Sequence, residues 1–248
     1  MPIQYLRHLT ATERSQRANR HLALVLAFIA GCTDAGGYLA LRHSTSHMSG
    51  IVSSMADDLA LGDVGLLIAG FGALLAFLIG AAFTAVLINW GRRHSLESEY
   101  TFPLLLEAAL LVCFSLIGGS LEHPKWLFVS ALTCLLCFTM GLQNAIITKI
   151  SHAEIRTTHV TGIVTDIGIE LGKLFYWNRS KDLLGKPIVR ADRQKLRLLL
   201  ALVGLFFFGG LLGALGFRHV GFLFFLPLAA LLFFLVGVPT VDDWRRSH

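Results

Sequence analysis

Six apolar runs, at about residues 22–41, 64–90, 103–121, 126–149, 196–217 and 219–238, divide this chain. Each is close to the roughly 20 residues that a helix needs to cross a hydrocarbon core about 30 Å thick. Lipid offers no partner to a backbone N–H or C=O, so such runs can cross only as helices that satisfy their own peptide groups. Composition agrees. Hydrophobic residues make up 54% of the chain and charged residues 15%, against about 25% charged in soluble domains, and the mean hydropathy is +0.65. The expected fold class is all-α, a polytopic membrane protein with six transmembrane helices. Residues 22–41 follow basic residues, as a signal peptide would, but the run is too long and no small-residue cleavage site follows it. It reads as a retained span.

A net charge of +5 raises the question of a nucleic-acid partner, and the placement of the charge answers it. With the N-terminus in the cytoplasm, 18 of the 21 Lys and Arg fall on inside segments, leaving Arg42, Lys125 and Arg218 outside. That bias is the positive-inside signature. It predicts both termini in the cytoplasm, a lipid bilayer as the partner and no nucleic acid. The four cysteines, Cys32, Cys113, Cys134 and Cys137, all lie within the apolar runs. Cys134-x-x-Cys137 has metal or redox spacing, but among Leu and Phe it reads as buried apolar thiols.

The chain repeats itself. Ser46-His47-Met48-Ser49-Gly50-Ile51-Val52-Ser53 returns as Thr158-His159-Val160-Thr161-Gly162-Ile163-Val164-Thr165, 112 positions on, and Asp58-Leu59 returns as Glu170-Leu171. Gly31-Cys32-Thr33-Asp34-Ala35 is echoed 110 positions on by Gly141-Leu142-Gln143-Asn144-Ala145. Each half holds three spans, so the second copy enters from the opposite side and the repeats are expected to be inverted. The boundaries are a basic arm at 1–21, a first repeat at 22–121, a second at 122–238 with a basic cytoplasmic linker at 178–197, and a tail at 239–248. Small residues every fourth position, Gly72, Ala76, Gly80 and Thr84 in span 2 and Gly209 and Gly213 in span 5, mark close helix contacts. A pseudo-symmetric packing of span 2 on span 5 is expected.

The segments 46–62 and 158–174 are too short and polar to cross alone. Ser46, Gly50, Ser54 and Asp58 fall at intervals of four, as do Thr158, Gly162, Asp166 and Glu170, giving each helix one polar stripe opposite Ile51, Met55 and Leu59, or Ile163, Ile167 and Leu171. Such a helix either lies in the interface or dips in as a re-entrant or broken helix lining a cavity. The repetition favours the cavity. His47 and His159 open the two segments, either as interfacial hydrogen-bonding residues or as titratable groups at two mouths of one pathway. Asp34 lies about 12 residues into span 1, roughly 18 Å along a helix. A carboxylate there costs at least about 2.5–3.5 kcal/mol, so it faces a protein or aqueous interior. Gly31, Gly36 and Gly37 around it permit a local break. Gln143 and Asn144 are its amide counterparts, and a structural hydrogen bond between spans 1 and 4 is the plainer alternative. Glu107, just after Pro103, ranks lower because it can reach the interface.

These motifs, Gly31-x-x-Asp34-Ala35, His47-Met48-Ser49-Gly50, Gly141-Leu142-Gln143-Asn144-Ala145 and Arg156-Thr157-Thr158-His159-Val160-Thr161-Gly162, resemble those of the YoaK family of bacterial membrane proteins, a domain-of-unknown-function group. The likeness covers about residues 20–238. It implies a multi-span inner-membrane protein and no established substrate. The family pattern carries Asn where this chain has Ile51.

The residues themselves predict a transporter-like protein moving a small polar or ionic solute, with proton coupling, through a site between the repeats. Its lining is expected from Asp34, Asn144, Gln143, His47, His159, Ser49, Ser53, Thr161, Thr165, Asp58 and Glu170. A passive channel or pore is the main alternative, and a membrane enzyme or sensor a lower one. No phosphate loop, nucleophile elbow or zinc motif appears, so no enzyme activity, cofactor or metal is expected. The small-residue faces suit contacts within one chain or in a homo-oligomer.

Overall fold

The computed structural model describes residues 16–94, 99–120, 126–150, 160–176 and 189–246. The expected arm up to residue 15, the turn at Glu122–Lys125, His159 and the linker through residue 188 lie outside them. The helices are α1 (Gln16–Leu41), α2 (Met48–Leu61), α3 (Val64–Arg93), α4 (Thr101–Gly119), α5 (Trp126–Ile150), α6 (Val160–Phe175), α7 (Arg193–Val220) and α8 (Phe225–Arg246). No strand occurs among the described residues.

Among the described residues, five stretches are long and apolar enough to cross a membrane: Asn19–Leu41, Val64–Arg93, Thr101–Gly119, Phe128–Ile150 and Arg193–Val236. The last holds 44 residues, roughly 66 Å if it were one straight helix and about twice a bilayer core. It is not straight. At Gly221 the backbone turns into the left-handed region (φ 62°), and a 3₁₀ turn, Gly221–Phe224, separates α7 from α8. Aromatic rings fix this corner: Phe217 meets Phe222 edge-on at 5.2 Å, and Phe114 of α4 meets Phe225 at 4.8 Å. Ser115 Oγ donates to Phe222 O at 2.8 Å, serving a carbonyl at the turn.

Between apolar helices in lipid, burial of oily surface gives no net drive, and close packing at small residues takes over. Here that packing occurs twice. Gly31 faces the Phe206 carbonyl and Gly209 faces the Phe28 carbonyl, locking α1 to α7; Gly141 faces the Phe77 carbonyl and Gly80 the Phe138 carbonyl, locking α5 to α3. The two sets are related residue by residue, by 110 positions on α1 and α5 and by 129 on α3 and α7. One step along, Gly213 sits on the Cys32 carbonyl, while Thr84 at the matching place donates to Leu142 O at 3.2 Å. Span 2 therefore packs on span 4, and span 5 on span 1, in place of the expected packing of span 2 on span 5. A small-residue stripe shows that a helix has a close neighbour without saying which one.

The pairings also give direction. Phe28 and Cys32 lie opposite Gly209 and Gly213, so α1 and α7 run parallel; Phe138 and Leu142 lie opposite Gly80 and Thr84, so α3 and α5 do too. The repeat partners α1 and α5 are antiparallel, since Asn19 Nδ2 donates to Ile150 O at 3.3 Å while Gly37 meets Leu136. Gly31, Gly36 and Gly37 serve these contacts, and α1 continues unbroken to Leu41, correcting the expected break. The core joins Leu26 and Ile29 of α1, Leu104 and Phe114 of α4, Leu136 and Ile146 of α5, and Phe225 and Leu232 of α8. Phe71, Leu78 and Val86 of α3, with Phe207 and Phe208 of α7, point outward, as lipid-facing residues do.

Replacing Gly31, Gly80, Gly141 or Gly209 by Ala sets a methyl against a backbone carbonyl. Each change is expected to cost about 1–3 kcal/mol, in the range of overpacked cores. Gly168→Ala and Gly204→Ala, with nothing within 4 Å of the new methyl, are expected to leave the melting temperature in detergent unchanged or raised. Thermal denaturation of the six variants checks the contrast.

Candidate functional site

Between α1 and α3 the chain folds back on itself. Gly62, at φ 77°, ends α2 in the left-handed conformation. Its N–H reaches Leu59 O at 3.3 Å and that of Asp63 reaches Asp58 O at 2.8 Å, the bonding of a glycine C-cap. Asp63 Oδ1 then accepts from Leu66 N at 3.2 Å and starts α3. In this hairpin α2 lies along α3 with Ile51 and Met55 over Gly70. Ile51 and Met55 form the packing face, as the periodicity predicts, while Leu59 is exposed.

The start of α2 is held by Asp34. Ser46 Oγ donates to Asp34 Oδ1 at 2.7 Å, joining a half-buried carboxylate in α1 to the turn that opens the first repeated motif. His47 occupies the N-cap position but makes no side-chain cap bond. Its ring lies against the Cα of Gly50, where a β-carbon would collide with it, which gives the His-x-x-Gly spacing a steric reason. His47, Ser49 and Ser53 are exposed and Asp58 is half-buried.

The expected amide counterparts of Asp34 are bonded to other groups. Asn144 Nδ2 donates to Met140 O on its own helix at 3.0 Å. Gln143 Nε2 donates to Glu107 Oε1 at 2.7 Å, in a pair buried between α5 and α4 with each residue 1% exposed. Glu107 is thus inside the bundle, not at an interface. One sequence signal pointed there: Glu107-Ala108-Ala109-Leu110-Leu111 matches Leu228-Ala229-Ala230-Leu231-Leu232, so a glutamate stands where the other half has leucine.

The second motif is built differently. On α6, Ile163 is buried against Ala23 and Ala27 of α1 and Leu199 and Leu202 of α7. Thr161 and Thr165 are exposed, and Thr165 Oγ1 returns to Thr161 O at 2.8 Å. Glu170 is buried where Leu171 was expected to be, because both its oxygens are engaged: Lys173 Nζ at 2.8 Å and the backbone N of Asp192 at 2.8 Å. Asp192 in turn caps α7 through Gln194 N and Lys195 N, and Lys195 Nζ lies 3.3 Å from Asp166. Glu170 is a clamp between α6 and the start of α7. Lys173 first, then the Asp192 N–H, holds its carboxyl below the usual glutamate range. No group of three His, Cys, Asp or Glu placed to hold a metal occurs among the described residues.

Long apolar helices, a carboxylate held inside the bundle and two short polar helices folded along its sides define a polytopic α-helical membrane protein. The chain belongs to the family described as "Protein of unknown function (DUF1275)", whose pattern matches residues 22–238. It is 27% identical over 172 residues to the UPF0700 transmembrane protein YoaK of Bacillus subtilis (strain 168), covering 68% of this chain and 75% of that protein. It is 30% identical over 173 residues to the UPF0700 transmembrane protein RA0705 of Rhizobium meliloti (strain 1021), covering 70% of each. No solved structure matches it.

A carboxyl whose folded pKa is depressed contributes stability that is full at neutral pH and is lost as pH falls through the folded value. For Glu170 that window lies below about pH 4, under the ordinary glutamate value. Glu170→Gln is therefore expected to melt below the parent at pH 7, the gap closing on acidification below about pH 4, as circular dichroism melts in detergent will show.

Proposed function

We propose that this protein is an inner-membrane transporter-like carrier that moves a small polar or ionic solute between two inverted three-helix repeats, with Asp34 as its proton-coupling group. The duplicated lock carries the reading. Gly31–Phe206 with Gly209–Phe28, and Gly141–Phe77 with Gly80–Phe138, describe one contact built twice, on partners α1 and α5 that run in opposite directions. That relation is a two-fold axis lying in the membrane plane, the arrangement by which secondary transporters present one site to either side.

On this reading α7 and α8 cross separately, giving six crossings, and the basic segments hold both termini in the cytoplasm. The α2 segment opens to the outside and the α6 segment to the cytoplasm, each a re-entrant helix. Asp34 stands a few residues to one side of the axis and Asn144 an equal distance to the other, so one half offers a titratable carboxylate and the other an amide. The Ser46 hydroxyl on Asp34 ties that carboxylate to α2, so a change in its protonation acts on the position of the outer re-entrant helix. His47 would guard one mouth, the sequence repeat gives His159 the same role at the other, and Ser49, Ser53, Thr161 and Thr165 would present hydroxyls to the solute path.

Purified protein screened by thermal shift against ions, small metabolites and drugs identifies the solute, since a ligand at 100 times its dissociation constant stabilises the native state by about 2.7 kcal/mol. In proteoliposomes, uptake of that solute is expected to saturate and to follow an imposed pH gradient, and Asp34→Asn is expected to abolish the pH dependence while remaining folded. Full gradient-driven uptake by Asp34→Asn would remove the coupling role. Flux that neither saturates nor follows the gradient would make the protein a passive pore.

A further inference from the structure

We propose that Glu107 binds a proton inside the membrane, forming with Gln143 a neutral, cyclic acid–amide pair that is separate from Asp34. The geometry begins with a glutamate six residues past the first residue of α4, roughly 9 Å along the helix, with 1% of its surface exposed. Its Oε1 accepts from Gln143 Nε2 at 2.7 Å. Its Oε2 and the Gln143 Oε1 are both buried without a hydrogen-bond partner among the described residues.

Two stranded acceptors on one bonded pair have a single economical remedy. A proton on Oε2 makes it a donor to Gln143 Oε1, while Gln143 Nε2 continues to donate to Oε1. Both oxygens are then served, and the pair carries no charge. A carboxylate would leave two acceptors facing each other and a full charge desolvated in the bundle, the costlier state on both counts. Among the described residues no cation is placed beside Glu107 to offset that charge. Arg92 pairs with Glu99 at 2.8 Å before α4 begins, and Arg93 and His94 lie with it at the end of α3. Lys149 is exposed in the last turn of α5. The titratable groups of α5 within the bundle are Cys134 and Cys137, and α8 carries no Asp, Glu, Lys or Arg between Phe225 and Val241. Thr33, at the place of Gln143 in the other half, is also buried, and the matching position on α8 is Leu228. Only one half thus holds the proton.

The ligand is the proton itself, and the inference does not depend on the protein moving a solute. Infrared spectra of the purified protein at neutral pH will test it. The carbonyl stretch of a protonated carboxylic acid, shifted in D₂O, is expected in the parent and in Asp34→Asn and is expected to be lost in Glu107→Gln. That variant keeps the ring through an amide–amide pair, so its melting temperature is expected to stay within a few degrees of the parent. Gln143→Leu, which removes the acceptor and leaves the acid, is expected to move the band to higher frequency, and it reads the same proton if Glu107→Gln fails to fold. Three results overturn the proposal: a band lost in Asp34→Asn and kept in Glu107→Gln, loss of carboxylate bands alone in Glu107→Gln, or sodium- or potassium-dependent stabilisation of the parent that Glu107→Gln abolishes. The last would make the pair a metal-cation site.

Discussion

Close approach of helix backbones at glycine is the constraint on which this structure depends. Lipid tails are as apolar as leucine side chains, so two apolar helices gain little from leaving lipid for each other. They gain when a missing side chain lets one backbone touch the carbonyls of the next. Gly31, Gly209 and Gly213 do this for α1 and α7, and Gly80 and Gly141 for α3 and α5. Asp34 lies one turn beyond Gly31 on α1, so the lock sets the depth of the carboxylate. Ser46 then sets the start of α2 by bonding to it, and Gly62 turns that helix back along α3.

Much of this was legible in the sequence, and the reasons for the rest are physical. The apolar runs gave helices close to their observed bounds, because run length against bilayer thickness leaves little choice. The repeated motifs located two short amphipathic helices, and the packing face of α2 at Ile51 and Met55 followed from periodicity. Choice of partner did not follow. Gly209 and Gly213 mark a face on α7, but whether α1 or α3 meets it is decided by the whole bundle. Glu107 looked able to reach an interface, because its distance from Pro103 says nothing of what surrounds α4. Glu170 fell on the predicted polar stripe of α6, yet Lys173 and the Asp192 N–H, the latter 22 positions away, allow it to be buried.

The two halves share a scaffold and differ in chemistry. Asp34 is matched by Asn144, Gln143 by Thr33, and Glu107 by Leu228. On the inverted-repeat reading, the first repeat holds both ionisable groups at depth, Asp34 and Glu107, on different helices and with different partners, and the second holds neither. Asp34 is bonded to the hydroxyl of Ser46 in the turn before a short helix, whereas Glu107 is enclosed between two spans. A carboxylate coupled to a half-helix suits exchange with the outside, and an enclosed acid suits storage. In the proposed carrier, the backbone symmetry would serve alternating exposure and the polar asymmetry would give direction.

Opposite exposure of the two motif helices tests the inverted arrangement most directly. With Cys32, Cys113, Cys134 and Cys137 replaced, Ser49→Cys and Thr161→Cys are labelled with a membrane-impermeant maleimide in intact cells and in inverted vesicles. The account predicts labelling of Ser49→Cys in cells and of Thr161→Cys in inverted vesicles. Labelling of both from the same side would contradict it.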